Sequence, residues 1–216
     1  MKKTTKMQIF ISILSLLPLI LVLATYSILP SKVPNHWDLD GTITYDDKNT
    51  LFIIAFVTIL IAVLFPVLVK IDPKKRNYQK FLPSYQAFQA FMMIFMLAVT
   101  AIIVIEALRP NTVNVPTIVL IMVGLLFVLL GNMMPRFRSN WFCGIRTPWT
   151  ISSEQIWTKT HRLGGRMFFA SGILIFLSAF IPNNNIRFGL VISFALISSI
   201  VPYIFSYLLY KKEQKS

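Results

Sequence analysis

The chain alternates between long apolar runs and short polar connectors. Six runs stand out: Ile9–Leu29, Leu51–Val69, Phe88–Leu108, Val115–Met134, Met167–Ile181 and Phe188–Tyr210. Uncharged apolar stretches of about 18 residues or more are the pattern of helices that cross a bilayer. The fifth run is short, at 15 residues, and Leu163–Arg166 extends it toward the interface. The runs are continuous and do not alternate with the period of two that marks a membrane β-barrel. They predict an all-α polytopic membrane protein with six transmembrane helices. The first run follows Lys2, Lys3 and Lys6, is too long for a signal-peptide core, and is not followed by a clean small-x-small cleavage site, so it is read as an uncleaved span. Pro18 and Pro66 fall inside spans, where neighbouring helices tolerate the kink that proline introduces.

Charge orients this array. Of 216 residues, 56% are hydrophobic and 13% charged, against about 25% charged in an ordinary soluble domain. With the N-terminus in the cytoplasm, the inner segments carry Lys2, Lys3, Lys6, Lys70, Lys74, Lys75, Arg76, Lys80, Arg136, Arg138, Arg146, Lys159, Arg162, Arg166, Lys211, Lys212 and Lys215. The outer segments hold Lys32, Lys48, Arg109 and Arg187. A split of 17 to 4 obeys the positive-inside rule and puts both termini in the cytoplasm. Membrane orientation therefore accounts for the net charge of +13, and direct nucleic-acid binding is not expected, because no basic face on a soluble domain is visible. Cys143, the single cysteine, excludes an intramolecular disulfide.

The connectors differ in content. The first outer loop, PSKVPNHWDLDGTITYDDKNT (30–50), is acidic and turn-rich through its prolines and Asp40-Gly41. His36, Asp38, Asp40, Gly41 and Asp47 fall at calcium-loop positions. His at the first position and Asp at the last, with no flanking soluble helices, argue against calcium. Trp37 is expected at the interface as an aromatic anchor. The inner connector from Lys70 to Ala87 reads as an orientation signal that also meets anionic headgroups. Pro116 suits the first turn of the fourth helix, and Gly124 and Gly131 allow close helix approach. The spans hold almost no ionisable residue except Glu106, and matched broken helices are not evident; both features disfavour a coupled transporter.

The stretch Pro135–Arg166 is the exception: long, polar and motif-dense, with Trp141, Trp149, Trp157, five arginines and His161. Up to Thr150 it should be irregular, with Pro135 ending the fourth helix, Gly144 turning the chain and Pro148 holding Thr147 extended. A short helix over Ser153–Leu163 follows. Ser152 and Gln155 have capping-box spacing, and Gly164-Gly165 stops the helix. On it Glu154, Trp157 and His161 share one face, and Ile156, Thr160 and Leu163 another, so the element is expected to lie in the interface. Glu154 and His161 then pair with each other or with Arg136, Arg138 or Arg146. A Glu and a His suit acid–base work. Against catalysis stand the lack of a nucleophile motif, a metal-ligand cluster or a phosphate-binding glycine loop. Interface anchoring by the tryptophans with lipid-phosphate contact by the arginines remains the rival to specific binding.

NWFCGIRTPWTISSEQIWTKTHRLGG, with GNMMPR just before it, resembles the signature of the SdpI family of bacterial membrane proteins. Those proteins confer immunity to a secreted sporulation-delaying toxin. The similarity covers about Val115 to Tyr210. The first span with LPSKVPNHWDLDGTITYDDK resembles a small domain of unknown function often fused ahead of it. The expected division is 1–57 for that domain, 58–114 for the second and third spans and 115–210 for the SdpI-like domain. The resemblance implies a non-enzymatic multi-pass protein of the bacterial cell membrane. Its implied partners are membrane lipids, a membrane-active peptide toxin and, as in the best-known member, a cytoplasmic transcriptional repressor captured at the membrane. No cofactor or metal is implied. Positions matching the motif are Asn140, Gly144, Arg146, Thr147, Pro148, Trp149, Glu154, Trp157, Thr160, His161 and Gly164; Arg136 and Trp141 join them as binding candidates. The alternative is a membrane enzyme or lipid-handling protein acting on anionic headgroups through the same loop.

Overall fold

The computed structural model describes residues 2–38 and 42–214. Asp40 and Gly41, assigned above to the turn of the first loop, and Lys215 lie outside the described residues. The chain is mostly helical. Its order is α1 (Lys2–Thr25), β1 (Lys32–Trp37), β2 (Ile43–Asp47), α2 (Thr50–Ile71), α3 (Leu82–Leu108), α4 (Val115–Met133), α5 (Pro148–Ser152), α6 (Glu154–Ser178) and α7 (Asn184–Glu213). Short 3-10 turns occupy Lys75–Lys80 and Met134–Arg136. The all-α expectation needs one correction: β1 and β2 pair as an antiparallel hairpin. Its strands carry Val33, Trp37, Ile43 and Tyr45, β-branched and aromatic residues suited to a pleated, half-buried surface.

Among the described residues five helices are long and apolar enough to cross a membrane: α1, α2, α3, α4 and α7. The fifth expected span is part of α6, whose first half is polar. The apolar residues α1 and α2 leave exposed, Ile9, Ile13, Leu16, Ile20 and Leu23, then Ile53, Phe56, Leu60 and Val63, recur every three or four positions. A stripe of that kind belongs against lipid rather than water.

The chain forms two compact units, one of residues up to 67 with 86–118, the other of 68–85 with residues from 119 onward. In the first, Val22, Leu29, Val33, Leu51, Ile103 and Val104 form a buried cluster, which Trp37 packs against. Trp37 is thus tied to the hairpin's own core. Glu106 is buried and accepts from Asn111 N–H at 3.0 Å and Val113 N–H at 2.6 Å. It satisfies the turn after α3.

In the second unit α4 and α6 meet through glycine. A Cβ on Gly124 would stand 2.9 Å from the Gly172 carbonyl oxygen, and one on Gly172 2.7 Å from that of Gly124. Gly131 and Gly165 repeat the arrangement at 2.7 and 2.8 Å. Four glycines, two on each helix and seven residues apart, therefore set the approach, as the small residues of membrane helix pairs do. Gly164 and Gly165 accordingly do not stop a helix, as expected from the sequence. They lie buried inside α6, which runs unbroken into the apolar segment. Packing against Gly131 and Pro135 outweighs the roughly 1 kcal/mol that a mid-helix glycine costs. The surface-lying amphipathic helix is corrected for the same reason.

Candidate functional site

Two connectors build the site together. Asn140, 1% exposed, folds the 138–143 loop around itself: its amide donates to the carbonyls of Arg138 (2.8 Å) and Cys143 (3.0 Å). Its Oδ1 accepts from the N–H groups of Phe142 (2.9 Å) and Cys143 (2.6 Å). Asp72, also 1% exposed, docks the other connector onto this loop. Its Oδ1 accepts from Lys74 N–H at 2.6 Å, and its Oδ2 from Trp141 N–H at 2.9 Å. The Tyr78 hydroxyl sits between Asp72 Oδ2 (3.0 Å) and Asn140 Oδ1 (3.1 Å). Lys74 Nζ donates to Ser139 Oγ at 2.7 Å and Asn77 to the Ser139 carbonyl at 2.8 Å. Burial pushes the Tyr78 phenol up, as does its bond to Asp72. The connector read from sequence as an orientation signal is thus half of the site. Asp72, a lone acid next to Lys74-Lys75-Arg76, was the signal for it, because an acid among orientation cations serves no orientation purpose.

Thr147 is extended, as Pro148 dictates, and caps α5: its Oγ1 accepts from Thr150 N–H while Thr150 Oγ1 accepts from Thr147 N–H. The capping box therefore lies at Thr147–Thr150. Ser152 ends α5, its hydroxyl donating to the Trp149 carbonyl, and Ser153 is the N-cap of α6. Two short-range signals competed here, and proline at N1 selected the earlier one. Trp149 packs against Tyr203, Tyr207 and Tyr210 of α7, and Thr147 Oγ1 lies 3.0 Å from Ser206 Oγ.

Trp157 and His161 are buried and stacked, with centroids 4.0 Å apart. Trp157 is no interface anchor. Its indole N–H donates to the Phe137 carbonyl at 2.9 Å. Both His161 nitrogens are engaged: Nε2 accepts from Ile145 N–H at 3.0 Å, which leaves the proton on Nδ1 to donate to the Trp157 carbonyl at 2.8 Å. This is a neutral imidazole in a fixed tautomer, and burial lowers its pKa to about 4, against a smaller upward pull from the Trp157 carbonyl. Gly144 has φ +105° and a Cβ there would meet His161 Nε2 at 2.3 Å, so the turn that presents Ile145 N–H requires glycine. Thr160 and Gly164 line the same buried face, with Ile145 and Met134 against Gly164. Thr160 Oγ1 is a buried hydroxyl without a partner among the described residues.

The expected charge network is a correction. Among the described residues Glu154 makes no bond to His161 or to the arginines, and its side chain is exposed, away from the buried ring. The helix buries Ile156, Trp157, Thr160 and His161 together, so the two faces assigned from spacing are one continuous packed face. Arg136 reaches Ser84 Oγ at 3.5 Å, and Arg146 donates to the Trp141 carbonyl at 2.7 Å. Exposed around the packed residues are Arg136, Arg138, Trp141, Gly144, Arg146, Pro148 and Glu154. Cys143 is part-exposed, and burial pushes its thiol up to about 12 against the pull of Arg146. No cluster of three metal-ligating side chains exists among the described residues. What the arrangement offers is a fixed, hydrogen-bonded platform that displays an indole and three guanidinium groups.

The comparisons with known proteins fall on these residues. The model of the SdpI/YfhL protein family matches 136–206, and that of a domain of unknown function, DUF1648, matches 13–59. The immunity protein SdpI of Bacillus subtilis (strain 168) is 26% identical over 188 residues, 87% of this chain and 87% of that one. No solved structure matches. The segment similar to the SdpI/YfhL protein family thus begins at Arg136 and runs through the Asn140 loop, the His161 stack and into α7, behind a DUF1648-like segment that takes in most of α1, the hairpin and the start of α2.

Proposed function

We propose that the protein is a multi-pass immunity and signalling protein of the bacterial cell membrane, acting without catalysis against a secreted membrane-active peptide. Six spans cross the bilayer, α6 supplying the short one, and both termini lie in the cytoplasm, as the distribution of cations indicates. The 135–166 region is then a cytoplasmic surface for docking or switching, with a repressor and anionic lipid as its partners. One observation carries this reading: the buried Asp72, Tyr78, Asn140 and His161 side chains are spent on holding the site's shape. The imidazole that a hydrolase would use as base is neutral, buried and bonded through both nitrogens. The 26% identical relative is itself named an immunity protein.

The test is deletion of the gene followed by challenge with a panel of membrane-active peptides; unchanged sensitivity throughout would sink the proposal. Crosslinking from positions 141 and 146, with and without peptide, reports on the docking role. The lipid-handling alternative makes an opposite prediction. It requires Glu154→Gln to abolish function, whereas a docking platform loses function when Trp141 or Arg146 is replaced.

A further inference from the structure

We propose that the free edge of β2 is a receptor strip that captures an extended, cationic peptide segment as a third strand. The ladder itself identifies the strip. Lys48 N–H donates to the Ser31 carbonyl at 3.0 Å, and Asp38 N–H to the Thr42 carbonyl at 2.9 Å. In an antiparallel pair, hydrogen-bonded and non-hydrogen-bonded partners alternate. Counting inward from both ends, Asp46 and Thr44 bond to β1, while Ile43, Tyr45 and Asp47 stand opposite Trp37, Pro34 and Lys32 in non-bonded pairs. Pro34 has no N–H to offer, which fits that register. The N–H and C=O groups of Ile43 and Tyr45 therefore point away from β1. Among the described residues the sheet has two strands, so nothing in it pairs with them. The Asp47 carbonyl is already taken by Thr50 Oγ1 at 2.8 Å. That leaves three donors, on Ile43, Tyr45 and Asp47, and two acceptors along one exposed strand, the arrangement that strand addition uses.

Charge names the occupant. Segment 30–50 holds four aspartates and two lysines in a chain of net charge +13. One of those lysines is turned inward: Lys48 Nζ donates to the Tyr26 carbonyl at 3.0 Å and lies 4.1 Å from the Tyr26 ring centre. Asp46 and Asp47 present carboxylates on opposite faces of the strip, and the exposed Tyr45 ring shares its face with Asp47, a surface for an aliphatic chain or a cation. A segment alternating basic and apolar residues satisfies both the edge and the carboxylates. The aspartates also keep the edge from pairing with a second copy of the same acidic strand. That the segment belongs to a secreted peptide rests on the function proposed above; the strip stands on the ladder alone.

The experiment uses the full chain in nanodiscs of zwitterionic lipid and two labelled decapeptides, one alternating Lys and Val, the other Glu and Val. The Lys–Val peptide should bind, more weakly as salt rises, and the Glu–Val peptide should not. Tyr45→Pro removes an outward N–H without touching the β1–β2 ladder and should weaken binding roughly fivefold or more. Asp46→Lys, which leaves the backbone intact, should weaken it as well. Equal binding by both variants, equal binding of the two peptides, or no binding to the unaltered chain overturns the proposal. In cells the two ideas separate. If the unaltered chain and both variants protect equally against a cationic peptide, the strip falls and immunity stands. If the chain protects against none while the nanodisc result holds, immunity falls and the strip stands.

Discussion

Asp72→Asn is the sharpest test of how the platform is held. The carboxylate takes a backbone N–H on each oxygen, Lys74 on one side and Trp141 on the other, with the Tyr78 hydroxyl beside the second. An amide has one acceptor oxygen and one donor nitrogen. If the oxygen serves Lys74, the NH2 group faces Trp141 N–H; if it is flipped, it faces Lys74 N–H. Tyr78 adapts, because its oxygen can accept from the amide while its proton goes to Asn140. One backbone donor does not. Leaving a buried donor unsatisfied costs about 1–3 kcal/mol. Since about 1.4 kcal/mol is a factor of ten, the open form of the 138–143 loop should become about 5- to 150-fold more populated.

Cys143 reads that opening directly. It is the only cysteine in the chain, and both its N–H and its carbonyl are bonded to Asn140 within the loop that Asp72 anchors. Burial pushes its thiol pKa up to about 12, so the closed form reacts slowly with maleimide and labelling follows the open fraction. Labelling in nanodiscs, timed by mass shift at constant pH, should accelerate by the factor above in Asp72→Asn. Glu154→Gln, on the exposed side of α6, should leave it unchanged. If the Asp72→Asn rate stays within about twofold of the unaltered protein, the carboxylate does not hold the loop and the magnitude reasoning from unsatisfied donors fails.

Gly131→Ala places a methyl group 2.3 Å from the Phe169 backbone nitrogen and should destabilise the α4–α6 pair by about 1–3 kcal/mol, read as a lower midpoint in thermal unfolding. Gly189→Ala, inside α7 with nothing within 4 Å, should instead raise the midpoint slightly, by up to about 1 kcal/mol of helix propensity. Trp157→Phe removes the indole donor from the Phe137 carbonyl and should cost about 1–2 kcal/mol, with a change in near-UV circular dichroism. His161 has a folded pKa of about 4 against its usual 6.5, so between those values the unfolded chain binds the extra proton. Stability contributed by the neutral ring is therefore present above about pH 6.5 and is lost as pH falls toward 4. His161→Asn should flatten the unfolding free energy measured across that window.

The spans were legible because lipid imposes one rule on every residue of a crossing helix: α2, α3 and α7 contain their expected runs, and α4 falls one residue short of its own. The end of α1 is instructive: it stops at Thr25, four residues before the expected run ends. Ile28 and Leu29 continue the apolar run, but the chain turns there and packs Leu29 into the core with Val33 and Leu51, while Ile28 stays exposed. Apolar pattern alone does not distinguish lipid from a small protein core. The site was half legible. Gly144 and Thr147 were readable because a positive φ and a residue before proline are local constraints. The partners of Asn140 and Asp72 were not, since Tyr78 and Asn140 are 62 residues apart and Asp72 and Trp141 are 69 apart. Gly164-Gly165 misled for the same reason: whether a glycine pair ends a helix or packs inside one depends on Gly131, far away in sequence.

That misreading bears on how the protein works. A helix that stopped at Leu163 would leave the motif as a separate surface element joined to the bilayer by a flexible link. Instead α6 is one rigid rod from Glu154 to Ser178. Its first half carries Trp157 and His161, whose bonds to the Phe137 carbonyl and Ile145 N–H hold the exposed loop. Its second half carries Gly165 and Gly172, in backbone contact with α4. With interlocked glycines and close packing, such contacts switch between discrete arrangements rather than deforming gradually. Moving α6 along α4 therefore cannot leave the loop in place: it breaks the His161–Ile145 and Trp157–Phe137 bonds or carries Ile145 and Phe137 with it. Under the signalling role proposed above, the unbroken helix is what would carry an event within the spans to the loop.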